Sequence, residues 1–485
     1  MIQGYDPRTG SPAGAPVAET TQAELDAAVS AAAAAAADWA ATAPAARAAM
    51  LEAVASELDA HAAELAELAD VETALGGPRL TGEVARTTGQ LRMFADVLRD
   101  GGFQDVAVSA GDGAAVPELR RISRPVGPVA VFAASNFPFA FSVAGGDTAS
   151  ALAAGCPVIV KAHPGHPRTS VLTGQLVAGA LASAGAPAGV FAVAHGMDAG
   201  TALLRHPAVA AAGFTGSARG GLALQRICAE RPVPIPFFGE LGSVNPVVVL
   251  PAAAAARGGE IAAGYAGSLT LGAGQFCTNP GLLFVPEDAA LRDAIAGAVG
   301  ASSGGPMLSE RIHAGFQAAV AGLAGQPGVQ PLATGKPGEG PWAATPQVFG
   351  SGLADFAAAL PGIAEERFGP AGLVISYPDV AALAGVLARL GGNLVGCLHL
   401  DDSAEADVAA ARQVLPVLGR TTGRVVCNGW PTGVAVTWAQ HHGGPFPATT
   451  APAYTSVGAA AIRRWLVPVV YQDVPPELLP EALRS

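Results

Sequence analysis

The sequence predicts an α/β protein of two or three domains, with parallel sheets covered by helices on both faces. Two observations carry this. First, short unbroken apolar runs alternate with helix-length segments such as 142–154 and 169–184. The runs are "PVGPVAVFAAS" (125–135), "CPVIVKA" (156–162), "GVFAVAHG" (189–196) and "VAAAGFTGS" (209–217). Strands buried on both faces read this way, and parallel neighbours need a crossover of helix length between them. Second, the chain has 485 residues, 51% of them apolar and 14% charged. It is too long for one ordinary core and too apolar for wholesale disorder.

The first hundred residues read as helices. Thr21 and Glu24 form a capping-box pattern ahead of the alanine-rich run Ala27 to Ala43, and Trp39 gives that helix something to bury. Pro44 restarts the chain. A second helix is expected from about Ala45 to Ala69, with Met50, Leu51, Val54, Leu58 and Ala62 at helical spacing, and a third after Pro78. The four apolar runs follow. A second strand-and-helix set spans about 246–440, through "NPVVVL" (245–250), "LLFVP" (282–286), "AGLVISY" (371–377) and "GRVVCNG" (423–429). The tail "RRWLVPVVYQDVP" (463–475) has the texture of an edge strand, and no repeat of fixed period is present.

Composition excludes several classes. A net charge of −12 disfavours nucleic acid, which needs a basic face. The apolar stretch 125–146 is interrupted by Pro128, Asn136 and Pro138, so no membrane span is expected. The first residues lack the basic and apolar regions of a secretory signal. Five scattered cysteines without a CxxC pair suit a reducing cytoplasm and argue against disulfides and zinc. Cys156, Cys228, Cys397 and Cys427 read as small core residues. His441 and His442 are adjacent, so they do not face one another, and no third ligand is expected near; no metal is expected.

Ligands of open α/β sheets collect at the carboxyl ends of strands. Asn136 ends the first run; it is either an Asx-turn residue before Pro138 or a free amide donor. Lys161 ends the second; it either snorkels to solvent or holds a ribose or phosphate oxygen. "GFTGSARGG" (213–221) enters a helix, as an ordinary turn or as a phosphate cradle. Glu240 is either a surface acid or a general base whose pKa an apolar setting raises. Cys277, in "GAGQFCTNPG" (272–281), sits among turn residues rather than core ones, which fits a nucleophile with its own backbone N–H as oxyanion donor.

Together these residues resemble the aldehyde dehydrogenase superfamily over nearly the whole chain. The resemblance makes Asn136 of "ASNFPFAFS" the oxyanion amide and Lys161 of "VIVKAHP" the adenosine-ribose lysine. It makes Gly216, Ser217 and Gly221 the pyrophosphate turn, Glu240 of "ELGS" the general base and Cys277 of "GQFCT" the nucleophile. Glu366 and Phe368 of "EERFGP" would hold the nicotinamide ribose and ring. It implies aldehyde oxidation through a thiohemiacetal and a thioester. It also implies three parts: a Rossmann-like cofactor domain (1–104 and 125–241), an α/β catalytic domain (242–440) and a β bridging arm (105–124 and 460–485). The arm implies a homodimer or homotetramer.

Two departures refine this. The acid that many members carry three residues after the lysine is Pro164 here. With His163, His166 and Arg168 close in sequence, NADP is the expected cofactor and NAD the second option. The usual "ELGG" is "ELGS". The chain also opens near "YDPRTG", so part of an N-terminal hairpin is expected to be missing. The segments 136–167 and "NGWPTGVAVTWAQHHGGPFPATT" (428–450) are similar to the 2-oxoglutarate semialdehyde (2,5-dioxopentanoate) dehydrogenase group, near NADP-dependent fatty-aldehyde enzymes. Phe137, Phe139, Phe276, Thr278, Trp430, Thr432 and Val434 are the expected pocket walls, with core packing as the alternative. A broad medium-chain aldehyde dehydrogenase and a catalytically silent binding protein on the same fold are the rival functions.

Overall fold

A computed structural model describes residues 1–111 and 115–484. Positions 112–114 and 485, part of the expected arm, lie outside the described residues. The first helix is Gln22–Ala41, and its capping box is present: Thr21 Oγ1 accepts from Glu24 N at 3.3 Å, and Glu24 accepts from Thr21 N at 2.8 Å. The expected second helix divides into Pro44–Ala60 and Ala62–Thr73 at His61 (φ −106°, ψ 14°). The break lets Leu51, Val54 and Leu58 on one segment and Leu65 and Ala69 on the next reach one core. The helix Gly77–Asp100 follows, burying Leu80, Val84, Leu91 and Phe94.

The four early apolar runs become the parallel strands Val129–Phe132, Val158–Lys161, Phe191–Ala194 and Ala211–Thr215. Phe237–Glu240, which the proline-rich approach to it had hidden, joins as a fifth strand. In spatial order they run Phe191–Ala194, Val158–Lys161, Val129–Phe132, Ala211–Thr215, Phe237–Glu240. The crossovers therefore diverge on either side of Val129–Phe132. That is a topological switch point, with a ligand crevice expected beyond the strand ends.

The second sheet runs Gln330–Thr334, Gln347–Gly352, Ala371–Tyr377, Leu282–Pro286, Pro246–Val249, Asn393–His399, Thr422–Cys427. All pair in parallel except the first, which is antiparallel to its neighbour. Tyr265 and Leu269 of the helix Pro251–Thr270 cover one face; Phe316, Phe356, Leu383 and Leu418 cover the other. Cys156, Cys228 and Cys397 are buried, but Cys427 is exposed, because it is the last residue of an edge strand.

Leu466–Gln472 pairs antiparallel with Leu119–Pro125, which pairs with Ala107–Ser109. Val108 and Val470 on this small sheet are exposed. A short hairpin pairs Tyr5–Asp6 with Ser11–Pro12, so hairpin structure is present at the start of the chain. Among the described residues, no helix is long and apolar enough to cross a membrane.

Candidate active site

The carboxyl ends of the first sheet and loops of the second line one cleft of about 630 Å³. Asn136, Lys161, His163, Gly216, Ser217, Glu240, Cys277, Glu366 and Phe368 all line it. Asn136 and Phe368, 232 positions apart in the chain, thus share one cavity.

The Cys277 loop is held by amides. Asn245, itself at φ +45°, donates Nδ2 to the carbonyls of Cys277 (2.8 Å) and Asn279 (2.9 Å). Asn279 Nδ2 reaches back to Leu269 O and Gly274 O, and Gln275 Oε1 accepts from Leu308 N at 2.9 Å. Gly274 has φ +69°, and a Cβ there would lie 2.2 Å from the carbonyl carbon of Gly369. Only glycine fits. Ser243, the departure in "ELGS", has a place in the same support: its Oγ donates to Asn245 Oδ1 at 2.8 Å and accepts from Leu394 N at 2.9 Å.

Asn136 Nδ2 spends one hydrogen on Gln275 O at 2.9 Å, two residues before the sulfur, which leaves its second N–H for a ligand. Glu240 closes its strand, and its segment pairs with 448–450: Leu241 N donates to Ala448 O at 2.7 Å. That same return segment brings in a residue the sequence reading set aside. His442 Nε2 lies 3.7 Å from Cys277 Sγ and 3.2 Å from Glu240 Oε1. The expectation that no third ligand lies near the histidine pair is corrected, since one ligand atom each from Glu240, Cys277 and His442 all fall within 4.8 Å of one another. Ser456 Oγ donates to Glu240 Oε2, and His442 N donates to Thr455 Oγ1 at 2.8 Å. Behind Glu240 is a cavity of about 20 Å³, room for one water.

Burial pushes the Cys277 thiol well above its ordinary value; Glu240 and Glu366 push the same way, and Arg86 opposes them. For Glu240 the expected upward shift is reversed. Burial does raise its carboxyl, but the charge of His442 and hydrogen bonds from His442, Ser456 and Cys277 outweigh it. Glu366 is pushed up to about 8, by burial first and then by Glu240, against a hydrogen bond from Ser243 N–H.

The other half of the cleft fits a dinucleotide. Lys161 Nζ meets Met197 Sδ at 3.6 Å, and burial, then Arg311, lowers its pKa to about 8. Ser217 caps the helix Ala218–Ala229 by accepting from Gly220 N at 3.3 Å, and the helix start faces the cleft. Three expectations change. Gly221 is a packing residue, because a Cβ there would lie 2.2 Å from Leu241 Cδ2. Arg168 turns away: its backbone N–H donates to Glu72 and its guanidinium to Ala13 O at 3.4 Å. His166 is buried, its Nε2 3.0 Å from Ala134 O. Arg219 and Arg311, neither singled out by the sequence reading, line the cleft instead.

Residues 1–444 match the model of the Aldehyde dehydrogenase family. The chain belongs to the aldehyde dehydrogenase family. It is 48% identical to alpha-ketoglutaric semialdehyde dehydrogenase 2 of Azospirillum brasilense, over all of this chain and 93% of that one. It is 40% identical to alpha-ketoglutaric semialdehyde dehydrogenase of Acinetobacter baylyi, again over all of this chain and 93% of the other. In fold it is similar to aldehyde dehydrogenase C of Pseudomonas syringae, solved with NAD+ and octanal. The TM-score is 0.80 at 23% identity, covering 97% of this chain and 93% of that one.

On the aldehyde side of this dehydrogenase, Phe137 lines the cleft and packs edge-on against Phe276, ring centroids 5.5 Å apart. Four of the remaining expected walls pack away from this cleft, and Val434 does not line it. Phe139 is in the main core, and Thr278 is buried under the nucleophile loop. Trp430 packs on Tyr265 and His399, and Thr432 Oγ1 meets Ser268 Oγ at 2.8 Å, both against the helix Pro251–Thr270. Aromatic residues fill cores and pockets alike, so residue type alone did not separate the two.

Proposed function

We propose that this aldehyde dehydrogenase oxidises 2-oxoglutarate semialdehyde to 2-oxoglutarate, with NADP as its preferred cofactor. The observation that carries the reading is full-length similarity, at 48% and 40% identity, to two alpha-ketoglutaric semialdehyde dehydrogenases. The chemistry is assigned to the cluster at the cleft floor. The Cys277 thiol ionises 3.7 Å from the His442 imidazole, whose charge offsets that of Glu240; the proton leaves to solvent and the thiolate attacks the aldehyde carbon. The Asn136 amide and the Cys277 N–H stabilise the oxyanion, each by about 3 kcal/mol. Glu366 and Phe368 would hold the nicotinamide, which would supply the hydride acceptor. Glu240 draws a proton from the water that hydrolyses the thioester.

The cofactor preference rests on Pro164, which leaves no carboxylate to repel a 2′-phosphate, and on three cations lining the cleft: Lys161, Arg219 and Arg311. His163 lines it too, but burial, then the charges of His166, Lys161 and Arg311, hold its pKa well below the ordinary value, so it acts as a neutral group. We assign 1–104 and 125–241 to cofactor binding and 242–440 to catalysis. The exposed edge of Leu466–Gln472 is assigned to pairing between copies in a dimer or dimer of dimers. Free thiols suit work in the cytoplasm.

The test is kcat/KM for 2,5-dioxopentanoate against hexanal and benzaldehyde, with NADP and with NAD. Preference for the dioxo acid with NADP is expected. Preference for the uncharged aldehydes assigns a broad medium-chain enzyme instead.

A further inference from the structure

Two guanidinium groups stand near the nucleophile loop without an ion pair among the described residues. Arg79 and Arg86 lie seven residues, two turns, apart on the helix Gly77–Asp100 and so share a face. The Arg79 guanidinium carbon is 5.1 Å from the centre of the Phe137 ring and 5.0 Å from that of Phe276. That of Arg86 is 5.8 Å from Phe137 and 5.4 Å from Phe141. Phe137 and Phe141 line the cleft, and the field of Arg86 reaches both Cys277 and Glu240.

Their hydrogen-bonding capacity is unspent. Arg79 Nη2 donates to Asn136 O at 2.7 Å, but its Nη1 is buried and has no partner among the described residues. Arg86 Nε and Nη2 are buried and have none either. Glu83 is the neighbouring acid, yet it forms no ion pair with them: its Oε1 accepts from Phe139 N (2.9 Å) and Ala140 N (3.0 Å). Burial, opposed by those bonds and by both arginines, pushes Glu83 up to about 7, so at neutral pH it is only about half ionised against two guanidinium charges. A buried charge without a counter-ion is costly, and planar guanidinium forks match carboxylates.

We propose that Arg79 and Arg86 form a subsite for the distal carboxylate of the substrate, which selects short ω-oxo acids over alkanals of equal length. The subsite rests on the assignment of a semialdehyde substrate, and it names the residues that read the acid end. It orients the chain so that the aldehyde carbon meets Cys277. Phe137 and Phe276 pack the methylenes between.

The experiment compares 5-oxopentanoate with pentanal, which differ only at the distal end. In the wild-type enzyme kcat/KM should favour the oxo acid. Arg86→Met should lower that preference by about 30-fold or more, chiefly through KM for the oxo acid. Arg86→Lys should retain part of it, and Arg79→Met should act in the same direction. Glutarate should protect wild-type Cys277 from alkylation, with weaker protection in Arg86→Met. A wild-type enzyme indifferent to the carboxylate overturns the semialdehyde assignment and the subsite with it. A wild-type preference that survives both methionine variants, with glutarate protection intact, overturns the subsite alone.

Discussion

His442 Nε2 lies 3.7 Å from Cys277 Sγ, across a separation of 165 residues in the chain. The thiol it faces is held protonated by burial and by Glu240, so the neighbouring imidazole decides how readily the sulfur reacts. His442→Gln should lower kcat/KM by about 10-fold to 10³-fold, the range for an opposite charge lost from beside a thiolate. Alkylation of Cys277 by iodoacetamide should slow in parallel, and this readout needs neither cofactor nor aldehyde.

Glu240→Gln should release one burst of reduced cofactor and then stall at the thioester. The sign of its pH effect is fixed. The Glu240 carboxylate raises the thiol pKa, so removing it lowers that pKa. The alkylation profile of Cys277 should move to lower pH even as turnover stops. A steady rate equal to wild type removes Glu240 from the role of base.

Asn136→Ala removes one oxyanion donor. It should lower kcat by about 10²-fold to 10³-fold, with little change in KM. Equal losses in binding and turnover would instead mark Asn136 as a support for the Gln275 carbonyl it bonds.

Lys161 titrates at about 8, lowered by burial and by Arg311. Its charge is present below that pH and lost above it. KM for NADP should therefore rise between about pH 7 and pH 9, and Lys161→Arg, which keeps its charge, should flatten the rise. Arg311→Ala should weaken NADP more than NAD.

Gly274→Ala puts a methyl into the Gly369 carbonyl at a left-handed backbone position. A loss of activity beyond any shift in melting temperature would show the nucleophile displaced rather than the fold lost.

The parallel sheets were legible because strands buried on both faces leave apolar runs that need no context. Phe237–Glu240 was hidden behind prolines that precede it. Cys277, Asn136 and Glu240 were legible because each breaks a local rule: a thiol among glycines, an amide at a strand end, and an acid flanked by glycines on an apolar approach. His442 breaks none. Its meaning lies in what the fold sets against it, and the doublet with His441 drew the reading toward metals. Arg168 shows the converse error. It is close to Lys161 in sequence, yet the first turn of the helix Pro167–Ser183 aims it at Ala13.

The segment from His442 to Ser456 is stitched along the edge strand that ends in Glu240, through the Glu240–Thr449 bridge and the Thr450 contacts with Gly239 and Phe237. It carries the imidazole at one end and the Ser456 hydroxyl at the other, so the nucleotide sheet owns the carboxylate while a strip returning from the far sheet supplies its companions. Cutting the backbone between 432 and 440 would leave sulfur and carboxylate intact and still uncouple them. Reactivity here belongs to the seam, and neither lobe produced alone would inherit it.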